Sequence, residues 1–337
     1  MLLRKRLTIS LWALLALTGP PNFLYSQQVS PWQDPSPHTI KFITVDESVR
    51  LEVLDWGGSG PSVVLLPGGG NTAHVFDEFA PKLAAGYHVY SITRRGFGAS
   101  TVPASGYGAD RLGDDLLAVM DSLDLKRPVL VGHSLGGEEL SSVGSRYPER
   151  VAGLVYLDAG YQYAFDNGRG GTLDELQSRA NPQPQPPPPS ESDLASFGSL
   201  QAWFARVNGI TLPEAEFRQG WDSTPDGRVG KRRNSPMASI MKGVKKYTDI
   251  PAPGLVIFAI PHDQGPWIKN HPDPAVRAAA KARAGEEVVI VEKQAKAFED
   301  GVPSAHIGRM PGAHHYVFLS NEPDVLREIR AFLGGLR

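Results

Sequence analysis

The sequence contains no cysteine among its 337 residues, and its formal net charge is only −2. The absence of cysteine excludes disulfides, a cysteine nucleophile and a lipid-modified cysteine. The small net charge gives no reason to expect nucleic acid or an anionic membrane surface as a partner. Hydrophobic residues make up 41% and charged residues 21%, which is typical of a globular protein. The length allows one large α/β domain or two ordinary ones.

Long apolar runs are also lacking, since the longest one near the N-terminus covers only residues 7–17. A membrane-spanning helix needs about 20 apolar residues. This run follows three basic residues at 4–6 and precedes a small residue, Ser26, at a plausible cleavage point. The pattern predicts a secretory signal peptide over residues 1–26 and a secreted or periplasmic protein with no stable membrane span; an uncleaved anchor is the alternative. Cleavage would change the net charge from −2 to −5, because residues 1–26 carry three positive and no negative charges.

Short apolar runs rich in β-branched residues alternate with helical patterns along most of the chain. One helical pattern, 110–123, places Leu112, Leu116, Val119 and Met120 on a single apolar stripe. Residues 134–147 and 324–333 are also predicted helices. The predicted strands are 49–54, 63–66, 87–92, 129–131, 154–157, 255–260 and 306–309. Such alternation predicts an α/β fold with a mostly parallel central sheet and helices on both faces.

The alternation stops between residues 161 and 253. Within this segment, 181–190 has six prolines in ten residues, which favours an extended, solvated stretch, and 195–207 and 213–219 are predicted helices. A long helical insertion between two strands is expected to form a cap over the active site, with helices packed elsewhere as the alternative. The predicted organisation is a core in two parts, 27–160 and 254–337, interrupted by a cap, 161–253.

The motif Gly132-His133-Ser134-Leu135-Gly136 follows a predicted strand and precedes a predicted helix. In this context a G-x-S-x-G pattern indicates a nucleophile elbow, in which glycines permit a sharp turn that exposes the serine hydroxyl. The backbone N–H of Leu135 would then lie at a helix N-terminus, free to stabilise an oxyanion. Ser134 is therefore the candidate nucleophile.

A second oxyanion-hole donor is expected from the glycine cluster in "VVLLPGGGN", residues 63–71. The cluster directly follows a predicted strand, and glycines allow the backbone to approach a substrate carbonyl closely. The N–H of Gly69 is the first candidate and that of Gly70 the second.

The general base is expected to be one of nine histidines. His314 and His315 follow the last predicted strand, on a loop that would lie beside the serine. His133 adjoins the nucleophile inside the tight turn, where a packing or orienting role is favoured. His262 and His74 are lesser candidates.

The acid of a Ser-His-Asp triad orients the histidine and stabilises its imidazolium form. Two aspartates end predicted strands, Asp158 in "LVYLDAG" and Asp263 in "LVIFAIPHDQG". Both fit the order serine, acid, histidine. Asp263 is favoured because the acid most often follows the later strand, and Asp158 is the alternative.

Together the segments "LLPGGG", "TRRGFGAST", "VGHSLGG", "GLVYLDAG" and "MPGAHHYVFLSNEPDVLREIRAFL" resemble the α/β-hydrolase superfamily and occur in its order. The resemblance implies the α/β-hydrolase fold, no cofactor and no metal. It also selects His315 over His314, because relatives typically have Gly-His where this chain has His314-His315. Relatives that open epoxides or remove halogens carry aspartate at the nucleophile turn, whereas this chain has Ser134.

These features predict a serine hydrolase that cleaves carboxylic esters or lactones through an acyl-enzyme. Ser134, Asp263 and His315 would form the triad, with Gly69 and Leu135 as the oxyanion hole. The expected partner is a small ester-like molecule, and the sequence leaves the oligomeric state open. Trp203, Phe204 and Trp267 are candidates for an apolar pocket, although core packing is the simpler interpretation. Amide or C–C bond hydrolysis by the same triad is an alternative, as is a non-catalytic ligand-binding protein on the same fold.

Overall fold

A computed structural model of the protein describes residues 32–178 and 184–336. The strands within these ranges are β1 (Thr39–Asp46), β2 (Val49–Gly57), β3 (Ser62–Leu66), β4 (His88–Ile92), β5 (Val129–His133), β6 (Gly153–Leu157), β7 (Trp221–Ser223), β8 (Val229–Arg232), β9 (Gly254–Phe258) and β10 (Ala305–Arg309). All seven predicted strands are present.

Eight of these strands form one sheet, in the order β1-β2-β4-β3-β5-β6-β9-β10. The strands from β4 to β10 in this order run parallel to one another, and β2 is antiparallel to both β1 and β4. The short strands β7 and β8 form a separate antiparallel hairpin. The predicted mostly parallel sheet is therefore confirmed.

Strand alternation divides the core into two hydrophobic clusters. Val64 and Leu66 belong to one cluster, and Val63 and Leu65 belong to the other. Successive side chains of a strand point to opposite faces of a sheet, so each cluster covers one face. Strands β5, β6 and β9 are buried over their whole length, as expected for parallel strands covered on both sides.

Helices cover this sheet, and several match the predicted segments within two residues. Leu112, Leu116, Val119 and Met120 of α2 are all buried, as the predicted stripe requires. The helices are α1 (Ala80–Ala84), α2 (Ala109–Ser122), α3 (Gly136–Arg146), α4 (Leu173–Gln177), α5 (Phe197–Asn208), α6 (Glu214–Gly220), α7 (Met237–Lys242), α8 (Gly265–Lys269), α9 (Pro274–Gly301), α10 (Val317–Ser320) and α11 (Glu322–Gly335).

The chain between β6 and β9 carries α4 to α7 and the β7–β8 hairpin, in the interval where a cap is predicted. Residues 181–183 of the proline-rich stretch lie outside the described residues, as does the predicted signal peptide, 1–26. The chain divides into two units after Pro35, and residues from Ser36 onward form a single compact unit. Within the described ranges, no helix has the length and apolar character needed to cross a membrane.

Candidate active site

Four functional candidates lie immediately beyond the carboxyl ends of neighbouring parallel strands. Ser134 follows β5, Asp158 follows β6, His262 lies in the loop after β9, and His315 lies in the loop after β10. Strands β5, β6, β9 and β10 are consecutive in the sheet. The carboxyl edge of a parallel sheet is the usual location of a ligand crevice in open α/β folds, so the topology gathers these side chains.

Ser134 occupies a strained turn between β5 and α3. Its φ is +48°, a left-handed conformation that a non-glycine residue adopts rarely. The turn is tight, because a Cβ on Gly132 would lie 2.8 Å from the backbone of Gly136, and one on Gly136 would lie 2.8 Å from the carbonyl oxygen of Leu66. The turn therefore has no room for a side chain at either flanking glycine, as expected for a nucleophile elbow.

His315 is held by Asp158. The Nδ1 atom of His315 lies 2.6 Å from Oδ2 of Asp158. Asp158 is fully buried, and its Oδ1 accepts from the Tyr161 hydroxyl and the Ala259 amide, both at 3.0 Å. Burial alone would raise the pKa of the Asp158 carboxyl, but the charge of His262 and the hydrogen bonds from the two histidines lower it well below its usual range. Asp158 is thus ionised at neutral pH and accepts the hydrogen bond that orients His315.

The expectation that Asp263 contacts this histidine is wrong. The Asp263 carboxylate accepts from the Gly265 amide and from Lys269 Nζ, each at 2.7 Å. The sequence places an aspartate after each of β6 and β9, and only the folded loops decide which one faces His315. The loop after β9 directs the residue before Asp263, His262, toward Asp158 instead, with 2.6 Å between His262 Nε2 and Asp158 Oδ2.

His133 packs behind the base, as its place in the turn predicts. Its Nε2 lies 3.0 Å from the carbonyl oxygen of His315, and its ring centroid is 4.7 Å from that of His315. Burial, and to a smaller extent the nearby His315, lowers the pKa of His133 well below its ordinary value. A neutral His133 therefore donates Nε2–H to the backbone that carries the base.

Both predicted oxyanion amides remain available to a ligand. Among the hydrogen bonds of residues 32–178 and 184–336, none uses the N–H of Gly69 or of Leu135 as donor. The adjoining Gly68 packs directly on the nucleophile turn, since a Cβ there would lie 3.0 Å from Cβ of Ser134. The glycine cluster thus runs past the serine, as a backbone oxyanion hole requires.

Arg94 fixes this glycine loop to the helix that follows the nucleophile. Its Nε and Nη2 donate to the Glu139 carboxylate of α3 at 2.7 and 2.6 Å. The same guanidinium donates to the carbonyl oxygens of Pro67 at 2.9 Å and Gly68 at 3.3 Å. Both side chains are buried, and a planar guanidinium suits this bidentate contact. The Arg94 side chain therefore links the glycine loop, which contains Gly69, to helix α3, which begins after Leu135.

Glu138, beside Glu139 on α3, is a buried carboxyl with an unusual proton affinity. Burial, reinforced by the negative charge of Glu139, raises its pKa from 4.5 to about 8. Glu138 therefore holds a proton in the folded protein between these two pH values, and the contribution of this group to stability falls as pH rises from about 4.5 to about 8. Above pH 8 the full penalty of a buried carboxylate applies.

We expect Glu138→Gln to stabilise the protein in alkaline solution. Glutamine resembles the protonated carboxyl and cannot ionise, so the free energy of unfolding at pH 9 should increase by about 1–5 kcal/mol. Near pH 4.5 the gain should vanish. Urea denaturation at both pH values measures this difference, and Glu149→Gln, at an exposed position after the same helix, is the control. An equal effect of both substitutions at pH 9 would contradict the interpretation.

A cavity of about 1040 Å³ lies between the glycine loop and the segment from β6 to β9. Gly69 and Tyr316 line it on the sheet side. Trp203, Phe204 and Trp267 line it too and are half-buried, so these aromatic side chains form part of a pocket wall. The cavity therefore adjoins one of the two predicted oxyanion donors.

A buried carboxylate joins this segment to the glycine loop. Glu216 of α6 accepts from Asn71 Nδ2 at 2.9 Å, from the Thr72 amide at 3.1 Å and from the Thr72 hydroxyl at 2.5 Å. The Tyr316 hydroxyl, next to the base in sequence, donates to Asn71 Oδ1 at 3.0 Å. The segment predicted as a cap is thus anchored at the edge of the candidate site.

The sequence did not predict that His262, Tyr161 and Tyr163 lie near the acid Asp158. Tyr161 donates to Asp158. Burial raises the pKa of Tyr163 above its ordinary value, while an interaction with Ser134 opposes that shift. The available signal was their position, because Tyr161 directly follows "LDAG", Tyr163 lies two residues further on, and His262 directly precedes Asp263.

Asp158, His262 and His315 are also close enough to share a cation, since one donor atom from each lies within 4.8 Å of the others. However, the ring nitrogens facing Asp158 are each 2.6 Å from Oδ2. At that distance an imidazole donates N–H to a carboxylate, so neither nitrogen offers a lone pair there. The arrangement is a buried carboxylate that accepts hydrogen bonds from two histidines.

A sequence model of the alpha/beta hydrolase family matches residues 63–329. The match covers most of the chain and includes Ser134, Asp158 and His315. The chain therefore belongs to the alpha/beta hydrolase family, and it is a hydrolase.

Known proteins with similar sequences or structures agree with this membership. The 2-(acetamidomethylene)succinate hydrolase of Mesorhizobium japonicum is 24% identical over 284 residues, which are 82% of this chain and 89% of that protein. A crystal structure of E-2-(acetamidomethylene)succinate hydrolase aligns with 88% of this chain and 100% of its own, with a TM-score of 0.63 and 20% identity. An esterase from Rhodococcus sp. ECU1013 aligns with 88% of this chain and 99% of its own, with a TM-score of 0.57 and 18% identity. At these identities the solved structures establish the shared fold.

Proposed function

We propose that this chain is a serine hydrolase that cleaves carboxylic ester or lactone bonds through an acyl-enzyme intermediate. The observation that carries the proposal is the 2.6 Å contact between His315 Nδ1 and Asp158 Oδ2. An imidazole that donates Nδ1–H to a buried carboxylate keeps its Nε2 lone pair free to accept a proton. Asp158 replaces Asp263 as the acid in this proposal.

In the proposed reaction, Ser134 Oγ attacks the substrate carbonyl carbon while His315 Nε2 takes the hydroxyl proton. The carbonyl oxygen becomes an oxyanion, which the amides of Gly69 and Leu135 stabilise. Collapse of this intermediate breaks the bond to the alkoxy oxygen, and His315 returns the proton to the departing alcohol. Water then attacks the acyl-enzyme by the same steps and releases the carboxylic acid. For a lactone, the alcohol and the acid are parts of one product.

The cavity supports a small-molecule substrate. Its volume of about 1040 Å³ is at the upper end of the range for small-ligand pockets. Aromatic side chains along its wall favour an apolar portion of the substrate, since they bury large apolar areas. A small ester or lactone would place its carbonyl near Gly69, where the wall meets the sheet.

Amide hydrolysis is a second candidate. The observation that favours it is the similarity, over 82% of this chain, to a 2-(acetamidomethylene)succinate hydrolase, whose name contains an acetamido group. The same serine, histidine and acid serve ester and amide substrates, so the bond type depends on how the cavity holds the leaving group.

A substrate panel and a covalent probe test the proposal. We expect the purified protein to have a higher kcat/KM for p-nitrophenyl esters or γ-lactones than for the matching p-nitroanilides. A fluorophosphonate should label Ser134, identified by mass spectrometry of the digested protein, because only an activated serine attacks it readily. Ser122→Ala, at an exposed serine, should label normally. Faster anilide turnover would favour the amide candidate, and absence of labelling would reject the serine mechanism.

A further inference from the structure

His262 lies between two carboxylates beside the proposed triad. Its Nε2 is 2.6 Å from Oδ2 of Asp158, and its Nδ1 is 2.7 Å from Oε1 of Glu287. Ionised carboxylates only accept hydrogen bonds. Both ring nitrogens must therefore carry hydrogen, so His262 is an imidazolium cation held by two anions.

We propose that His262 is a positioning residue of the reaction, which holds Asp158 in place for His315 and is itself held by Glu287. This inference rests on the serine-hydrolase function proposed above. It assigns a role to a histidine that reaches Ser134 only through Asp158 and His315.

Contacts around Asp158 show what His262 adds. Oδ1 accepts from Tyr161 and from the Ala259 amide, whereas Oδ2 accepts from both His262 and His315. These donors come from the loops after β6, β9 and β10, and the carboxylate is fully buried. Rotation of the carboxylate would break several charge-assisted bonds at once, so His262 fixes the atom that orients the base.

Charged and polar groups surround the His262 ring and determine its charge. Asp158, Glu287 and the Tyr161 hydroxyl face the His262 ring, and its centroid is 5.8 Å from that of His315. Burial lowers the pKa of His262, but the charge of Asp158 and the hydrogen bonds to both carboxylates raise it to about 10. His262 is therefore a cation at neutral pH.

Three more residues belong to the surroundings of His315, namely His133, His314 and Tyr316. The pKa of His133 and that of His314 are both lowered, chiefly by burial, so these rings are neutral near pH 7. Among these rings, His262 is then the one that carries a positive charge, and it lies beside the Asp158–His315 pair.

Helix α9 supplies Glu287 and explains the long segment between β9 and β10. Gln294 of α9 donates to the carbonyl oxygens of Gly160 and Phe165, both at 2.9 Å. These contacts attach the helix to the loop that begins at Asp158. Helix α9 is thus held where its Glu287 carboxylate contacts His262. The long segment between β9 and β10 therefore contributes a residue to the candidate site.

The charge of His262 can be measured without turnover. In ¹⁵N-labelled wild-type protein at pH 8, we expect one histidine whose two ring nitrogens both have the chemical shifts of protonated nitrogen. That pair of signals should be missing from His262→Gln. A neutral His262 at pH 8 would overturn the proposal, whichever enzyme activity the protein has.

The separate effects of His262→Gln on kcat and on KM for an ester test its role in the reaction. We expect kcat to fall about tenfold with little change in KM, as for the loss of a positioning contact. Glu287→Gln, which keeps the shape of the side chain, should lower kcat in the same way.

His306→Gln is the matched control, because His306 is an exposed histidine near the amino end of β10, and its kcat and KM should equal those of the wild type. An unchanged kcat in His262→Gln, with or without a rise in KM, would overturn the proposal. If the wild type fails to react with a fluorophosphonate, the serine mechanism fails, and the ¹⁵N result still decides the charge of His262.

Discussion

Ser134→Ala is expected to lower kcat for a short p-nitrophenyl ester by about 10⁴- to 10⁶-fold, as loss of the nucleophile does in serine hydrolases. Ser134 occupies the strained turn after β5 and is the proposed nucleophile. The oxyanion amides and the cavity survive the substitution, so a small residual rate above that of water should persist. Initial rates under saturating ester measure this loss.

The substitution should leave the fold intact, although alanine must adopt the left-handed backbone that serine adopts, with φ of +48°. Far-UV circular dichroism and the thermal midpoint separate lost chemistry from lost structure. The Ser122→Ala protein should retain wild-type kcat. Turnover by Ser134→Ala within tenfold of the wild type would remove Ser134 from the mechanism.

Asp158→Asn is expected to lower kcat/KM by about 10³- to 10⁴-fold, whereas Asp263→Asn should change it less than about threefold. An asparagine presents one oxygen and one NH₂ group to four donors, so it cannot orient both histidines as the carboxylate does. In enzymes with such a triad, the corresponding change to asparagine costs about 10⁴-fold in kcat by favouring the wrong histidine tautomer.

Asparagine tolerates positive φ better than most residues, so the φ of +47° at position 158 does not by itself forbid the variant. Asp263 serves as the paired control because it also follows a strand, and among the described residues its carboxylate accepts hydrogen bonds only from Lys269 and a local amide. A larger loss in Asp263→Asn than in Asp158→Asn would restore the assignment made from the sequence.

The sheet was predictable because its inner strands are short apolar runs rich in β-branched residues. Strand β1 was not predicted, since it lies at the sheet edge and most of its residues are exposed. An edge strand without a buried face gives little hydrophobic periodicity. Pairing with β2 over Thr39–Asp46 defines this strand, and such pairing cannot be read from local composition.

Local sequence was sufficient for the nucleophile turn, because glycine spacing, strand and helix all occur within about ten residues. It was insufficient for the acid. Two aspartates stand at equivalent positions after β6 and β9, and the choice depends on loop directions that are set by distant contacts. Sequence order also gave no reason to connect His262 with Glu287, since the contact exists only because α9 docks against the loop after β6.

The ion pair of Arg94 with Glu139 has a consequence for how the molecule opens. The Arg94 guanidinium also donates hydrogen bonds to the carbonyl oxygens of Pro67 and Gly68. The same buried cation therefore binds both the glycine-rich loop and α3. Detaching the loop alone would leave polar groups unpaired in the protein interior. Transient local unfolding therefore involves the loop and the helix as one cooperative unit, and amide exchange in the loop follows the stability of α3 rather than glycine's own flexibility.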